Sequence, residues 1–125
     1  MEMACLKPSD IGYVNANGTS TVLGDVMETH ALKEVFGNAV PPVSSTKGAT
    51  GHIMGAGGIT EIIACIQAIR TGVLPPTLGL RNPDPECDLD YIPGKARTAD
   101  IDVAMSNSFG FGGQNSSVII KRYVK

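Results

Sequence analysis

The stretch Ser44–Glu61, SSTKGATGHIMGAGGITE, limits what this chain can fold into more than any other. It sets Gly48, Gly51, Gly55, Gly57 and Gly58 around Lys47 and His52 and ends on Glu61. Glycine at this density lets backbone approach backbone, or a ligand, with no Cβ in the way. A short apolar run, Pro42-Val43, leads in and a strongly apolar helix leads out, so the stretch reads as a strand-to-helix connection. Histidine is the side chain suited to proton chemistry near neutral pH. Glu61 lies on the helix, where it neutralises Lys47 if the chain folds back. The plainer reading is a close-packed helix start with a structural histidine. Two phosphate-loop readings fail on spelling. A Walker loop needs Gly-Lys-Ser/Thr, whereas lysine precedes glycine at Lys47-Gly48. A dinucleotide fingerprint from Gly55 needs Gly or Ala where Thr60 stands.

The 125 residues suffice for one domain with one core. Charged residues are only 18% and glycines number 15, which points to tightly packed structure with surface covered by another subunit. A net charge of −2 without a basic block argues against nucleic acid as a partner. Cys5, Cys65 and Cys87 show neither CxxC nor zinc spacing, and Cys65 reads as a small buried hydrophobe in a helix. This usage suits a reducing compartment, so a cytoplasmic location is expected. The start, MEMACLKPSD, lacks the apolar region of a signal peptide, and no run is long enough for a membrane span.

The order of elements reads β-α-β-α-β-β. MEMACL has helix-forming residues but is too short to be stable alone. Ile11–Ala16 reads as a buried strand, followed by a polar loop, Gly18–Thr21, at the end where α/β sheets hold ligands. A helix is expected from Asp25, with Glu28 completing a capping box, Met27, Ala31, Leu32, Val35 and Phe36 as its apolar side, and Gly37 as its stop. His30 reads as a surface or structural histidine. Val43–Ser45 reads as a second strand. A helix from about Gly57 to Thr71 carries Ile59, Ile62, Ile63, Ile66 and Ile69 and is expected to be buried on most sides. Residues 77–100 read as a loop-rich excursion with a possible edge strand at Leu89–Ile92. Ile101–Ser106 and Ser116–Tyr123 read as strands around a second glycine-rich turn, Asn107–Gly113. Parallel crossovers set the loops after the first two strands side by side, so that Asn17, Lys47 and His52 share a site.

VNANGTST (Val14–Thr21), SSTKGATGHIMGAGG (Ser44–Gly58) and SNSFGFGG (Ser106–Gly113) closely resemble, in order and spacing, the three C-terminal motifs of the β-ketoacyl-acyl-carrier-protein synthases. The branch resembled is that of the elongating, thiolase-like condensing enzymes, and the resemblance runs from about Pro8 to the end. It implies an α/β fold, the C-terminal βαβαββ half of a thiolase-like fold, over residues 1–125, with residues 1–7 the remnant of a preceding helix. The N-terminal half, which carries the family's cysteine nucleophile, is then a partner this chain lacks. The implied activity is an acyltransferase of fatty-acid biosynthesis. Malonyl-carrier protein loses CO2 and the resulting carbanion attacks an acyl thioester. The implied partners are acyl carrier protein and a second copy in a homodimer; no cofactor is implied beyond the carrier's phosphopantetheine, and no metal.

Carried over residue by residue, the resemblance makes His52 the second family histidine, Lys47 the lysine that shapes the field of the site, and Glu61 its carboxylate partner. Thr19 and Thr21 match hydroxyls that hold the pantetheine arm. Phe111 matches the gating residue, whose backbone N–H serves an oxyanion hole, with Phe109 and Gly110 beside it as substrate contacts. One motif departs: Asn17 stands where the family has its first histidine. Asparagine keeps an N–H donor for a carbonyl but neither ionises near neutral pH nor shuttles a proton. The initiating synthases also pair one histidine with one asparagine, at the other position. None of the three cysteines lies in a nucleophile context, so this chain alone is not expected to turn over. Two other readings follow: a non-catalytic subunit like a chain-length factor, of polyketide synthesis, and an acyl- or pantetheine-binding remnant. Half of such a fold leaves apolar faces bare and is expected to associate.

Overall fold

The computed structural model describes residues 1–124. Its centre is a four-stranded sheet in the order β2-β1-β5-β6, made of β1 (Tyr13–Asn15), β2 (Val43–Ser44), β5 (Val103–Phe109) and β6 (Asn115–Lys121). β1 runs parallel to both β2 and β5, and β6 returns antiparallel to β5. The crossover from β1 to β2 is α1 (Val22–Phe36). From β2 the chain passes through a one-turn helix, α2 (Lys47–Thr50), and then α3 (Gly57–Thr71). A second, two-stranded antiparallel sheet pairs β3 (Val73–Leu74) with β4 (Arg97–Thr98). Within the main sheet the order is the βαβαββ expected.

Alternation along the strands divides the core in two. Val14, Ala16, Val43, Val103 and Met105 turn to the α1 side and pack with Leu32 and Phe36. Tyr13 and Ala104 turn to the α3 side with Cys65, Ala68 and Ile69. The register sets Val14 beside Val43 and Met105, and Asn15 beside Ser44 and Ser106. A slip of one residue would exchange the two sets, so burial on both faces holds the register.

Several expectations need correction. α1 starts at Val22 after Thr21, not at Asp25, because Thr21 still has extended backbone (φ −90°, ψ 145°) and ends the loop. Asp25 instead accepts the Ser20 N–H at 3.1 Å, one turn back. Glu28 is no capping-box partner; its buried face is shared with Thr29, Leu32 and Phe36, while Met27 is 63% and Val35 48% exposed. The helix turns on its axis relative to the apolar pattern because Glu28 is drawn inward to the loop after β1. α3 has the expected bounds but is not buried on most sides. Its covered stripe is Gly57, Glu61, Cys65, Ala68 and Ile69, and Ile59, Ile63 and Ile66 lie bare. Leu89–Ile92 is not a strand: the Asp90 and Ile92 carbonyls accept single N–H bonds from Val43 (2.8 Å) and Thr77 (3.0 Å), and regular pairing occurs instead at β3 and β4. β5 runs on to Phe109 rather than ending at Ser106, because β6 pairs with it along its whole length. His30 is exposed, as expected of a surface histidine.

Candidate active site

Three loops meet at the C-terminal ends of β1, β2 and β5. The loop after β1 is held by the Glu28 carboxylate. It accepts the backbone N–H groups of Asn17 and Gly18, both at 3.0 Å, and the Nδ2–H of Asn107 at 3.1 Å. Asn107 in turn accepts the Ser117 hydroxyl at 2.8 Å, which links the loop to β5 and β6. Burial pushes the Glu28 carboxyl up, against the pull of its three N–H donors. Gly18 has φ +36°, and a Cβ there would stand 2.6 Å from the Ser45 Cβ. Only glycine fits at both counts, and the Ser45 hydroxyl then donates to the Gly18 carbonyl at 2.8 Å. This joins the first loop to the glycine-rich stretch.

The second loop carries Lys47, which forms an ion pair with Glu61 of α3, as the fold-back reading expected. Both side chains are buried, with 8% and 4% exposure, so each charge depends on the other. Gly48 lets this loop pack against the Leu78 backbone, since a Cβ there would meet the Leu78 carbonyl oxygen at 2.4 Å. Below the pair lies a polar layer in which Tyr13 and Ser44 share a hydrogen bond of 2.7 Å and Asn15 donates to the Tyr13 oxygen at 3.1 Å. Burial pushes the Tyr13 phenol up, so it stays protonated. His52 is exposed at the rim.

Between the first two loops and residues 77–91 lies a cavity of about 810 Å3, onto which Thr19, Thr21, Lys47 and His52 all open. Asn17 sits apart from that lining, where its Oδ1 accepts the Phe109 backbone N–H at 3.2 Å. The Gly110 N–H is taken by the Gln114 carbonyl at 2.7 Å, and Phe111 stands 91% exposed on the turn between β5 and β6. The structure therefore gathers Thr19, Thr21, Lys47 and His52 around one cavity, pairs Glu61 with Lys47, and ties Asn17 to Phe109. It leaves Phe111 free of the cavity. Glu28 reads in the sequence as a helix cap and Asn107 as the start of a turn, and neither carries a site signal, because a buried carboxylate opposite a loop is invisible to helix periodicity. Cys65 is fully buried and its thiol is pushed up to about 12 by burial, as a small core hydrophobe requires. Cys5 is exposed and Cys87 half-buried on the cavity wall. Among the described residues no helix is long and apolar enough to cross a membrane.

Residues 1–81 match the family described as Beta-ketoacyl synthase, C-terminal domain. The chain is 52% identical over 120 residues to a 3-oxoacyl-[acyl-carrier-protein] synthase 2 of Synechocystis sp., a match covering 94% of this chain and 29% of that protein. Among solved structures it superposes on the ishigamide ketosynthase/chain length factor with a TM-score of 0.96 at 36% identity, covering 98% of this chain and 30% of that one. It also superposes on a type II polyketide synthase acyl-carrier protein complex with its ketosynthase bound to the hexaketide, with a TM-score of 0.94 at 34% identity, covering 98% of this chain and 31% of that one. The chain thus spans under a third of each of these proteins.

Proposed function

Because the chain belongs to the β-ketoacyl synthase family, as its C-terminal domain, we propose that it forms the malonyl side of a 3-oxoacyl-acyl-carrier-protein synthase. The reaction is a decarboxylating Claisen condensation of fatty-acid biosynthesis. The observation that carries this reading is the cavity at the strand ends, where a hydroxyl pair, a histidine and a lysine paired behind it with the buried Glu61 carboxylate face one space. Thr19 and Thr21 line the path of a pantetheine arm. His52, which opens onto the cavity, and Asn17, which lies outside its lining on the loop after β1, are the donors assigned to the malonyl thioester carbonyl, whose oxygen gains negative charge as CO2 leaves. Donors aimed at a developing oxyanion are a main source of rate in such chemistry. Lys47, neutralised by Glu61, sets the local field without leaving a net charge beside the substrate carboxylate. Phe111, with Phe109 and Gly110, forms the loop facing the acyl thioester. That thioester rests on a cysteine supplied by the N-terminal half of a synthase. Neither Cys65, buried with a raised thiol, nor the peripheral Cys5 suits the role.

The partners proposed are acyl carrier protein, supported by the likeness to a ketosynthase complexed with one, and a second synthase copy. No further cofactor is proposed. The test is CO2 release from malonyl-carrier protein by the intact protein. Release should occur and should rise on Asn17→His; if that change alters nothing, this site is not catalytic. Asn17 also supports a second reading, a chain-length-factor-like subunit that shapes a partner's acyl tunnel. Such a protein would release no CO2 with either residue but would alter the product length of a partner synthase.

A further inference from the structure

The Gly12 N–H donates to the Val103 carbonyl at 2.9 Å, so Val103 turns its backbone polar groups toward β1. Strand alternation then turns Met105, Asn107 and Phe109 to the same edge. β1 pairs with β5 only as far as Asn15 opposite Ser106. The Phe109 N–H therefore emerges just past the end of the parallel ladder, with no β1 carbonyl to receive it. The acceptor it finds is the Asn17 side chain, at 3.2 Å. Meanwhile Glu28 clamps the Asn17 backbone N–H at 3.0 Å, so the residue is held from both ends.

An N–H donor facing position 17 dictates the polarity of whatever stands there. A carboxamide must turn its oxygen inward, which leaves its nitrogen outward. Nδ2 of Asn17 has no protein partner among the described residues. A neutral imidazole in the same place would have to turn its unprotonated nitrogen inward and its N–H outward. The two side chains thus share one polarity, and asparagine holds it with no proton to lose or gain.

We propose that the Phe109 backbone N–H is a positioning group that locks residue 17 with its acceptor inward and its donor outward. Asn17 thereby presents an N–H to an uncharged carbonyl acceptor of the thioester class. This rests on the synthase reading above for the ligand, but the lock itself does not. The lock also ties the loop after β1 to the strand leading into the Gly110–Gly113 turn.

The test compares Asn17→Ala, Asn17→Asp and Asn17→His in the intact protein by two readouts. The first is residue-resolved hydrogen exchange of the Phe109 amide. Exchange should quicken about tenfold in Asn17→Ala, which removes the acceptor, and stay slow in Asn17→Asp and Asn17→His, which keep one. The second is CO2 release from malonyl-carrier protein. It should fall about 100-fold in Asn17→Asp, which keeps the lock but turns an acceptor to the substrate, and rise in Asn17→His. Unchanged Phe109 exchange in Asn17→Ala would overturn the lock. Wild-type release in Asn17→Asp would overturn the outward donor. The expected exchange pattern without CO2 release from any variant would refute the synthase reading while upholding the lock.

Discussion

Removing one member of the Lys47–Glu61 pair should destabilise the protein far more than removing both. The side chains are 8% and 4% exposed, so little solvent is at hand to receive an orphaned charge. Breaking a buried pair costs about 3–5 kcal/mol, because the remaining ion stays desolvated, whereas replacing both partners with apolar groups of similar volume is often neutral or better. Lys47→Met and Glu61→Leu should therefore each cost about 3 kcal/mol or more, a large share of a typical stability of about 5–15 kcal/mol. The double variant should lose less than either single one. Urea unfolding followed by circular dichroism measures this. With a slope of about 1–3 kcal/mol per molar, each single change moves the midpoint down by roughly 1–3 M, and the double moves it back. Single costs below about 1 kcal/mol, the range of an exposed pair, would refute the claim that the pair is desolvated. So would strictly additive losses in the double variant, which would show no coupling.

Three further outcomes follow from the geometry. The Glu28 carboxyl, raised by burial, keeps its proton in the folded state to higher pH than in the unfolded chain; its stability contribution is complete below the unfolded carboxylate pKa, about 4, and falls as pH rises through the folded value. Glu28→Gln should flatten that fall in unfolding midpoints measured across acidic pH, and an unchanged slope would count against the assignment. Thiol labelling of the native protein should modify exposed Cys5 quickly and Cys65 only on unfolding, since its thiol is fully buried and raised to about 12; native-state labelling of Cys65 would contradict its place in the core. The bare apolar surfaces of Ile59, Ile63 and Ile66 on α3 and of Met27 and Val35 on α1 should make residues 1–125 expressed alone oligomeric or poorly soluble. Sedimentation as a clean monomer with a cooperative melt would overturn that.

Much of the fold is legible because its punctuation is local. Gly37 closes α1 at its predicted stop, α3 runs from Gly57 to Thr71 as expected, and Pro42-Val43 leads into β2. The Lys47–Glu61 pairing is also legible, since a lysine entering a glycine-rich turn and a carboxylate on the helix beyond it need only one fold-back to meet. What is not legible is set by distant partners. Glu28 sits in a helical pattern as an ordinary polar residue, and only the loop returning from β1 gives its carboxylate two backbone N–H groups to hold. The same anchor rotates α1 away from its apolar pattern. β4 has two residues and takes its identity entirely from β3. Ile59, Ile63 and Ile66 give the periodicity of a buried helix, but periodicity records what a face is suited to meet, not what meets it among these residues.

The most direct test of the account is CO2 release from malonyl-carrier protein by the intact protein before and after His52→Ala, with carrier binding measured alongside. Loss of a donor to the developing oxyanion predicts a fall in release of about 100-fold or more while carrier binding is retained. Release that is unchanged without the His52 imidazole would contradict the proposed site, and so would a protein that binds the carrier but never decarboxylates its malonyl group.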